Sequence, residues 1–163
     1  MNENTFDKIE SKKLKKMKKK FMIFSMLFLG IFVSAKAQNT NTSIVRVEII
    51  GLKSSNGKIL INLFDKEKGF PSNPQSALKS AAIEIKDKQA FIEFSCKPQQ
   101  EYAIALVHDE NNNGDMDKNF FGIPKEGYAF SNNYRPTIKS PSFKQASFKA
   151  SGEKTILKLT VIY

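Results

Sequence analysis

The sequence has one cysteine, one histidine and no tryptophan among its 163 residues. A disulfide needs two cysteines, so no internal disulfide can form, and the hydrophobic core must hold the fold without a crosslink. A single histidine excludes a zinc site built from three histidines. The lack of tryptophan also argues against a platform on which sugar rings stack. The inventory of acid–base and stacking groups is therefore sparse.

Long hydrophobic runs are also scarce, with one exception near the N-terminus. The basic segment Lys12–Lys20 precedes the 13-residue apolar stretch Phe21–Val33, and the small residues Ala35 and Ala37 follow. This order of basic, apolar and small residues is typical of a secretory signal peptide, here residues 1–37. Its apolar stretch falls short of the ~20 residues that span a bilayer, so no stable membrane span is expected after cleavage. We expect an exported protein, periplasmic or secreted.

The N-terminal boundary of the folded domain follows from the same segment. Met17 directly precedes three lysines and the apolar stretch, which is an ordinary start for a signal peptide, so we hypothesise that translation begins at Met17. The polar residues 38–43 (QNTNTS) are predicted to form a disordered leader. The single folded domain is then expected over residues 44–163.

The positive charge of the chain lies mainly in the signal segment. The whole chain carries 26 Lys and Arg against 16 Asp and Glu, and residues 1–37 hold 9 and 3 of these. Residues 38–163 therefore keep 17 basic and 13 acidic side chains, a net charge of +4. No basic stripe remains after export, so no nucleic-acid partner is expected.

Apolar residues after the leader recur with a period of two. Val45, Val47 and Ile49 share one face of their segment, opposite Arg46 and Glu48. Similar alternation occurs in segments 59–64, 83–85, 91–96 and 157–163. Segment 102–107 has apolar residues on both faces. This pattern predicts an all-β fold. We expect a single antiparallel β-sandwich of immunoglobulin or transthyretin type, with about seven strands.

The connectors between these segments carry turn residues. Segments 54–57 (SSNG) and 86–89 (KDKQ) are short enough to predict hairpins between the strands that they join. Asn73 and Ser140 each precede a proline, which predicts a helical turn with that proline in its first position. Cys96 falls on the apolar side of its segment and is expected to be a buried, inert thiol.

One acidic loop has the composition of a cation site. Side-chain oxygens alternate around Gly114, at Asp109, Asn111, Asn113, Asp115 and Asp117. The spacing matches the first nine positions of an EF-hand loop, but Phe120 occupies the twelfth, where a bidentate Glu belongs, and no helices flank it. We predict a Ca²⁺ site on a β scaffold, closed by Glu126 or by backbone carbonyls. The alternative is a metal-free turn whose Asn and Asp side chains bond their own backbone.

Three further residues are candidates for ligand contact. His108 ends the strand that feeds the loop, and either contacts a ligand or ends the strand with a hydrogen bond. Phe121 and Tyr128 lie among several aromatic residues and either line a ligand surface or pin the loop to the sandwich. No catalytic residue is assigned.

Longer motifs occur at residues 57–64 (GKILINLF), 69–71 (GFP), 102–105 (YAIA), 108–117 (HDENNNGDMD), 121–128 (FGIPKEGY), 130–132 (FSN) and 141–148 (PSFKQASF). Together these motifs resemble the bacterial domain-of-unknown-function family 2141 (DUF2141). The resemblance spans residues 44–163 and implies a small secreted or periplasmic β-sandwich protein without an established reaction. The family's usual glycine before the Glu-Tyr-Ala strand is absent, since Gln99 and Gln100 precede Glu101.

The leading hypothesis is a non-enzymatic, exported binding or accessory module with a Ca²⁺-ordered loop and a cell-envelope or extracellular ligand. One alternative is a secreted hydrolase that uses His108 and nearby carboxylates. Another is a purely structural envelope protein whose loop binds nothing. The chain has no second histidine and no nucleophile elbow, which favours the module over the hydrolase.

Overall fold

The structure, a computed structural model, describes residues 42–163. The predicted signal peptide, the hypothetical start at Met17 and residues 38–41 of the predicted leader lie outside the described residues. The described residues belong to one compact unit. In the described part, no helix has the length and apolar character needed to cross a membrane.

The described residues form eight strands and little helix, which confirms the prediction of a mainly β fold. The strands are β1 Ser43–Ile50, β2 Lys58–Phe64, β3 Lys79–Glu84, β4 Ala90–Cys96, β5 Glu101–Asp109, β6 Gly127–Phe130, β7 Phe148–Lys149 and β8 Lys154–Thr160. The helical segments are the 3₁₀ helices Pro74–Ser76 and Ser131–Asn133 and the α-helix α1, Phe143–Ala146. Ser43 belongs to the first strand, one residue before the expected start of the domain.

The strands form two sheets. One has three strands in the order β4-β1-β8, and the other has the order β3-β2-β5-β6, with β7 also paired to β5. All pairs but one are antiparallel. Strands β1 and β8 run parallel, with Ile44 opposite Lys154 and Ile50 opposite Thr160. The expectation of a purely antiparallel arrangement is therefore wrong for this pair, because the last strand returns beside the first in the same direction.

Both sheets contribute to one hydrophobic core. The side chains that alternate inward from β1, β2 and β5 are all buried there: Val45, Val47, Ile49, Ile59, Ile61, Leu63, Tyr102, Ile104 and Leu106. Burying each aliphatic side chain of this size contributes about 1.5–3 kcal/mol, so this cluster is the main source of stability. The period-two pattern predicted the inward faces of β1 and β2 correctly.

A second apolar cluster covers the other face of the five-stranded sheet. Phe64 and Phe130 are buried there, and the partly buried Phe70 and Phe143 pack against them. The Phe70 ring makes edge contacts with Phe64, Phe130 and Phe143 at centroid distances of 5.2, 6.4 and 5.9 Å. Strand β5 is consequently buried on both faces, as its continuous apolar sequence predicted.

The two predicted hairpins are wrong because both connectors change sheet. Residues 54–57 lead from β1 in one sheet to β2 in the other, and residues 86–89 lead back from β3 to β4. The second connector is nevertheless a closed turn, with Lys86 and Gln89 exchanging two backbone hydrogen bonds of 2.9 Å. A tight turn alone therefore does not make the flanking strands partners.

The helical turns begin close to the predicted prolines. Asn73 accepts the N–H of Gln75 at 3.1 Å and Pro74 begins the 3₁₀ helix, as predicted. The second turn begins two residues later than predicted. Its N-cap is Ser142, whose side chain accepts the Gln145 N–H while the Gln145 side chain accepts the Ser142 N–H. The Ser142 and Gln145 side chains therefore satisfy two backbone donors together, whereas Ser140 lacks a Gln three positions later.

Cys96 is a free, buried cysteine at the end of β4, as expected. Burial raises the pKa of its thiol, and the nearby Lys79 lowers it by less. The neutral thiol is thus favoured, and Cys96 acts as a small apolar side chain of the core.

Candidate functional site

The acidic loop leaves the edge of the sheet where β5 ends and β2 begins. Asp109 lies opposite Lys58 in the β2–β5 register. Gly57, directly before β2, has φ +73°, and a Cβ atom there would collide with the backbone at Asp109 and Glu110. Only glycine permits this close approach, which brings the connector after β1 against the start of the loop.

Asp109 folds the loop back onto its own strand end. Its side chain is buried, with Oδ1 accepting the Asn113 N–H at 3.1 Å and Oδ2 accepting the Gly114 N–H at 2.9 Å. Gly114 lies at the bend with φ +87° and open space where a Cβ would be. A carboxylate that accepts two backbone N–H groups makes charge-assisted hydrogen bonds, so Asp109 fixes the curvature of the loop.

The polar side chains of the loop converge on Asp117. Asn111 Nδ2 donates to Asp117 Oδ2 at 2.8 Å, and Asn113 Nδ2 donates to Oδ1 at 3.1 Å. The Asn111 Oδ1 atom accepts the Asn113 N–H at 3.0 Å. Asp115 joins through its backbone N–H, which donates to Asn113 Oδ1 at 2.9 Å, while its side chain is exposed. Four of the five predicted oxygen-bearing side chains therefore form hydrogen bonds within the loop.

Glu126 closes the loop from outside it. Its buried carboxylate accepts the Glu110 N–H at 2.9 Å through Oε1 and the Asp117 N–H at 3.0 Å through Oε2. The sequence predicted Glu126 as the distant partner of the loop. In the structure it contacts both ends of the loop through backbone N–H groups, so it sets the spacing between Glu110 and Asp117.

The converging groups are a mixture of carboxylates and amides. Within residues 42–163, no three His, Cys, Asp or Glu side chains group in a way that could hold a metal ion. The convergent set is instead Asp109, Asn111, Asn113 and Asp117, and its hydrogen bonds are those of the metal-free alternative. A cation would need the Asn111 and Asn113 amides to turn their oxygens toward Asp117, and that rotation breaks the bonds that these oxygens accept from the Asn113 and Asp115 N–H groups.

His108 is fully buried one residue before the loop, and both ring nitrogens are engaged. Nε2 lies 2.8 Å from the Asn56 carbonyl oxygen, and Nδ1 lies 2.7 Å from the Tyr163 hydroxyl. A carbonyl only accepts, so Nε2 donates, and in the tautomer that carries its proton there Nδ1 accepts from Tyr163. Burial raises the pKa of the Tyr163 phenol, which keeps its proton available for this bond. Contact with a ligand would require one of these bonds to break.

The aromatic candidates lie in two different environments. Tyr128 packs against Phe130, with ring centroids 5.7 Å apart, at the margin of the second apolar cluster. Phe121 is 83% exposed and Phe120 is 97% exposed, and their rings contact each other at 5.5 Å. Tyr128 thus packs against the domain, whereas the two neighbouring phenylalanines project from it.

The comparison with known families has one clear result. Residues 47–158 match the family model described as "Uncharacterized protein conserved in bacteria (DUF2141)". The chain belongs to the DUF2141 family. This confirms the resemblance found in the sequence motifs. No curated protein and no solved structure matched the chain.

The DUF2141 match includes the whole acidic loop, Glu126 and His108, but ends before Tyr163. Sequence reasoning missed both partners of His108. Asn56 and Tyr163 lie 52 and 55 positions away along the chain, and no local pattern connects them to the histidine. The projecting position of Phe120 and Phe121 was also missed, since a Phe-Phe pair reads equally well as core.

Proposed function

We propose that this DUF2141 protein is an exported, non-enzymatic β-sandwich module whose loop, residues 109–117, binds Ca²⁺. The module binds a cell-envelope or extracellular ligand, and calcium orders the loop for that purpose. The observation that carries the proposal is the convergence of Asp109, Asn111, Asn113 and Asp117 around a bend at Gly114. Two sheets around one core support a sandwich of immunoglobulin or transthyretin type.

The chemistry of the loop suits a hard cation. Calcium takes six to eight oxygen ligands from carboxylates, amides, backbone carbonyls and water. The carboxylates of Asp109 and Asp117 and the amides of Asn111 and Asn113 supply such oxygens, and the exposed Asp115 adds negative charge. A set with few carboxylates favours a dissociation constant of about 10⁻⁴–10⁻³ M, the range of extracellular modules.

Export is supported by the order of the N-terminal segments. Lys12–Lys20, the apolar residues 21–33 and the small residues Ala35 and Ala37 form a signal peptide pattern. The modest calcium affinity expected of the loop fits a periplasmic or secreted protein. We expect mass spectrometry of the protein from the periplasm or the medium to give the mass of a chain that begins at Gln38.

The geometry of His108 supports a binding module over a secreted hydrolase. A general base needs a free ring nitrogen within hydrogen-bond reach of its substrate. Both nitrogens of His108 are instead used inside the fold, by Asn56 and Tyr163. The structural-protein alternative differs from the module in one property, which is that its loop takes up no calcium.

Calcium titration of residues 38–163 separates these alternatives. We expect heat of binding with a dissociation constant of about 10⁻⁴–10⁻³ M. At a free calcium concentration 100-fold above that constant, the free energy of unfolding should rise by about 2.7 kcal/mol. Chelation should reverse the rise in melting temperature.

Two Asp→Asn variants make the titration specific. Asp117→Asn should abolish the binding heat, because this carboxylate faces both loop amides. Asp87→Asn, in the turn between β3 and β4, makes the same chemical change away from the loop and should bind as the wild type does. An absence of heat with millimolar calcium, or equal heats for the two variants, rules out the loop as the site.

A further inference from the structure

The turn between the acidic loop and Glu126 exposes three large apolar side chains. Phe120, Phe121 and Ile123 are 97%, 83% and 58% exposed. We call these three residues the apolar tip. Other exposed large apolar residues of the described part occur singly, as at Phe91, Ile138 and Ile156. A contiguous exposed apolar group marks an interaction surface, whereas scattered ones do not.

The apolar tip stands clear of the rest of the domain. Gly122 lies at its centre with φ +78°, and a Cβ atom there would meet no other atom within 4 Å. The Phe120 and Phe121 rings contact each other edge to face, with centroids 5.5 Å apart. The surface is therefore a convex wedge, and its partner must have a recess or be soft enough for the wedge to enter.

Three of the four backbone N–H groups of residues 120–123 are paired within the turn. The Asn119 N–H donates to the Ile123 carbonyl at 2.8 Å, and the Gly122 N–H donates to the Asn119 carbonyl at 2.9 Å. The Asn119 Oδ1 atom accepts the N–H groups of Phe121 and Ile123 at 2.9 and 3.0 Å. Pairing backbone groups within the turn lowers the cost of entering an apolar medium. Asn119 provides such pairing for the N–H groups of Phe121, Gly122 and Ile123.

Positive side chains flank the base of the apolar tip. Lys118 pairs with Pro124 across the turn, and Lys125 donates its N–H to the Asp117 carbonyl at 2.8 Å. Both lysines are exposed. Apolar side chains at an apex with lysines behind them match the layers of a bilayer surface, where acyl chains lie below anionic headgroups.

We propose that the apolar tip inserts into the interface of a bilayer that contains anionic lipids. Phe120, Phe121 and Ile123 enter the boundary between headgroups and acyl chains, and Lys118 and Lys125 pair with the headgroups. The inference extends the proposed function, since it names the partner of the module. It also links the two sites. Asp117 belongs to the loop, and its backbone carbonyl accepts the N–H of Lys125. Calcium in the loop therefore reduces negative charge directly beside the surface that meets the lipids.

Vesicle flotation of residues 38–163, without the signal segment, tests the proposal. We use vesicles of phosphatidylcholine and of a phosphatidylcholine–phosphatidylglycerol mixture, each with calcium and with a chelator. The wild type should float with the mixed vesicles, more strongly with calcium, and bind neutral vesicles weakly. Phe120→Ser with Phe121→Ser should lower the partition coefficient onto the mixed vesicles by about 100-fold or more, because burial of each Phe side chain contributes a factor of about ten or more.

Two control variants identify the cause of any loss. Ile138→Ser removes an apolar side chain that is 98% exposed elsewhere and should float as the wild type does. Lys118→Gln with Lys125→Gln should weaken binding to the mixed vesicles and reduce its salt dependence, without changing binding to neutral ones. All these side chains are exposed, so equal melting temperatures will verify that the variants are folded.

The outcomes for the apolar tip and for calcium are distinguishable. If the wild type floats with neither vesicle, or if the Phe120→Ser, Phe121→Ser variant floats equally well, the bilayer proposal is wrong. Retention on a purified envelope protein instead of vesicles also overturns it and assigns the wedge to a protein pocket. Heat of calcium binding without flotation removes only the bilayer proposal. Flotation without such heat removes only the calcium site.

Discussion

The hydroxyl group of Tyr163 serves two partners at once. It accepts the Lys53 N–H at 3.2 Å and donates to His108 Nδ1 at 2.7 Å. We expect Tyr163→Phe to lower the free energy of unfolding by about 1–2 kcal/mol, because it leaves a buried histidine nitrogen without its donor. Urea denaturation measures this as a lower midpoint with an unchanged m-value.

Tyr134→Phe is the matched control for that change. The Tyr134 hydroxyl accepts a hydrogen bond from Gln145 Nε2 at 3.3 Å on the surface. Its loss should alter the free energy of unfolding by less than about 0.5 kcal/mol. Equal effects of the two substitutions would mean that the buried bond to His108 contributes nothing beyond that of an exposed one.

Single residues show what a sequence can and cannot reveal. The burial of Val45, Val47 and Ile49 follows from alternation within one strand, so it was predictable. The hydrogen bonds of His108 depend on residues 52 and 55 positions away. Such partners are set by the packing of distant segments, and the local sequence around the histidine carries no signal of them.

The conformation of Lys88, in the turn between β3 and β4, suits glycine better than lysine. Asp87 and Lys88 have φ values of 51° and 58°, so both central residues are left-handed, as in a type I′ turn. Lys88→Gly should raise the free energy of unfolding by about 1 kcal/mol, because glycine adopts this conformation without a Cβ penalty. The Lys88 N–H that donates to Ser55 Oγ at 2.9 Å is retained.

Lys88→Ala separates backbone strain from loss of the lysine side chain. Alanine removes the exposed side chain but keeps the Cβ atom, so it should leave the urea midpoint nearly unchanged. A gain with alanine equal to that with glycine would attribute the effect to the charge of Lys88 rather than to the backbone.

Elements were predictable individually, but their pairing was not. The period-two segments located β1, β2, β4, β8 and the end of β3 because half-buried strands impose alternation, and the continuous apolar segment located β5. Pairing depends on which sheet each strand joins, and the connectors after β1 and β3 change sheet despite their shortness. The short strands β6 and β7 were missed, since four and two residues are too few for alternation to show.

The turn before β5 explains a departure from the family pattern. Gln99 and Gln100 occupy the place of the usual glycine, and Gln99 adopts φ 63°. Its N–H donates to the Ala150 carbonyl at 2.7 Å, and the Ala150 N–H donates to the Gln100 carbonyl at 3.1 Å. These two bonds to the segment after β7 hold a left-handed conformation that glycine would adopt freely, so the turn persists without the glycine.

At the scale of the whole molecule, the pattern of side-chain oxygens in the loop was predictable, but their hydrogen-bond partners were not. Alternate Asn and Asp residues around Gly114 converge because a tight bend turns them to one side. Glu126 was identified as the distant partner from its place in the sequence. That it bonds two backbone N–H groups, and that the segment between it and the loop projects as an apolar tip, required the three-dimensional arrangement.

The segment after β8 joins the two sheets. The Val161 N–H donates to the Ile50 carbonyl at 2.9 Å, which continues the three-stranded sheet. Ile162 then exchanges two backbone hydrogen bonds of 2.9 Å with Tyr128 of β6, in the other sheet. Val161 is buried in the shared core, and Tyr163 reaches His108. Three residues thus connect the two sheets.

Removal of Val161–Tyr163 should destabilise the whole domain. The loss combines the burial of Val161, two hydrogen bonds to Tyr128 and the hydroxyl group of Tyr163. We expect the free energy of unfolding to fall by about 3–5 kcal/mol, a large share of the 5–15 kcal/mol typical of a domain. Removal of Tyr163 alone should cost only slightly more than Tyr163→Phe. Hydrogen exchange locates the effect: the Tyr128 amide should lose its protection first. If Tyr128 stays protected and the urea midpoint is unchanged after the three-residue deletion, β6 is held by β5 alone, and the C-terminal segment does not join the sheets energetically.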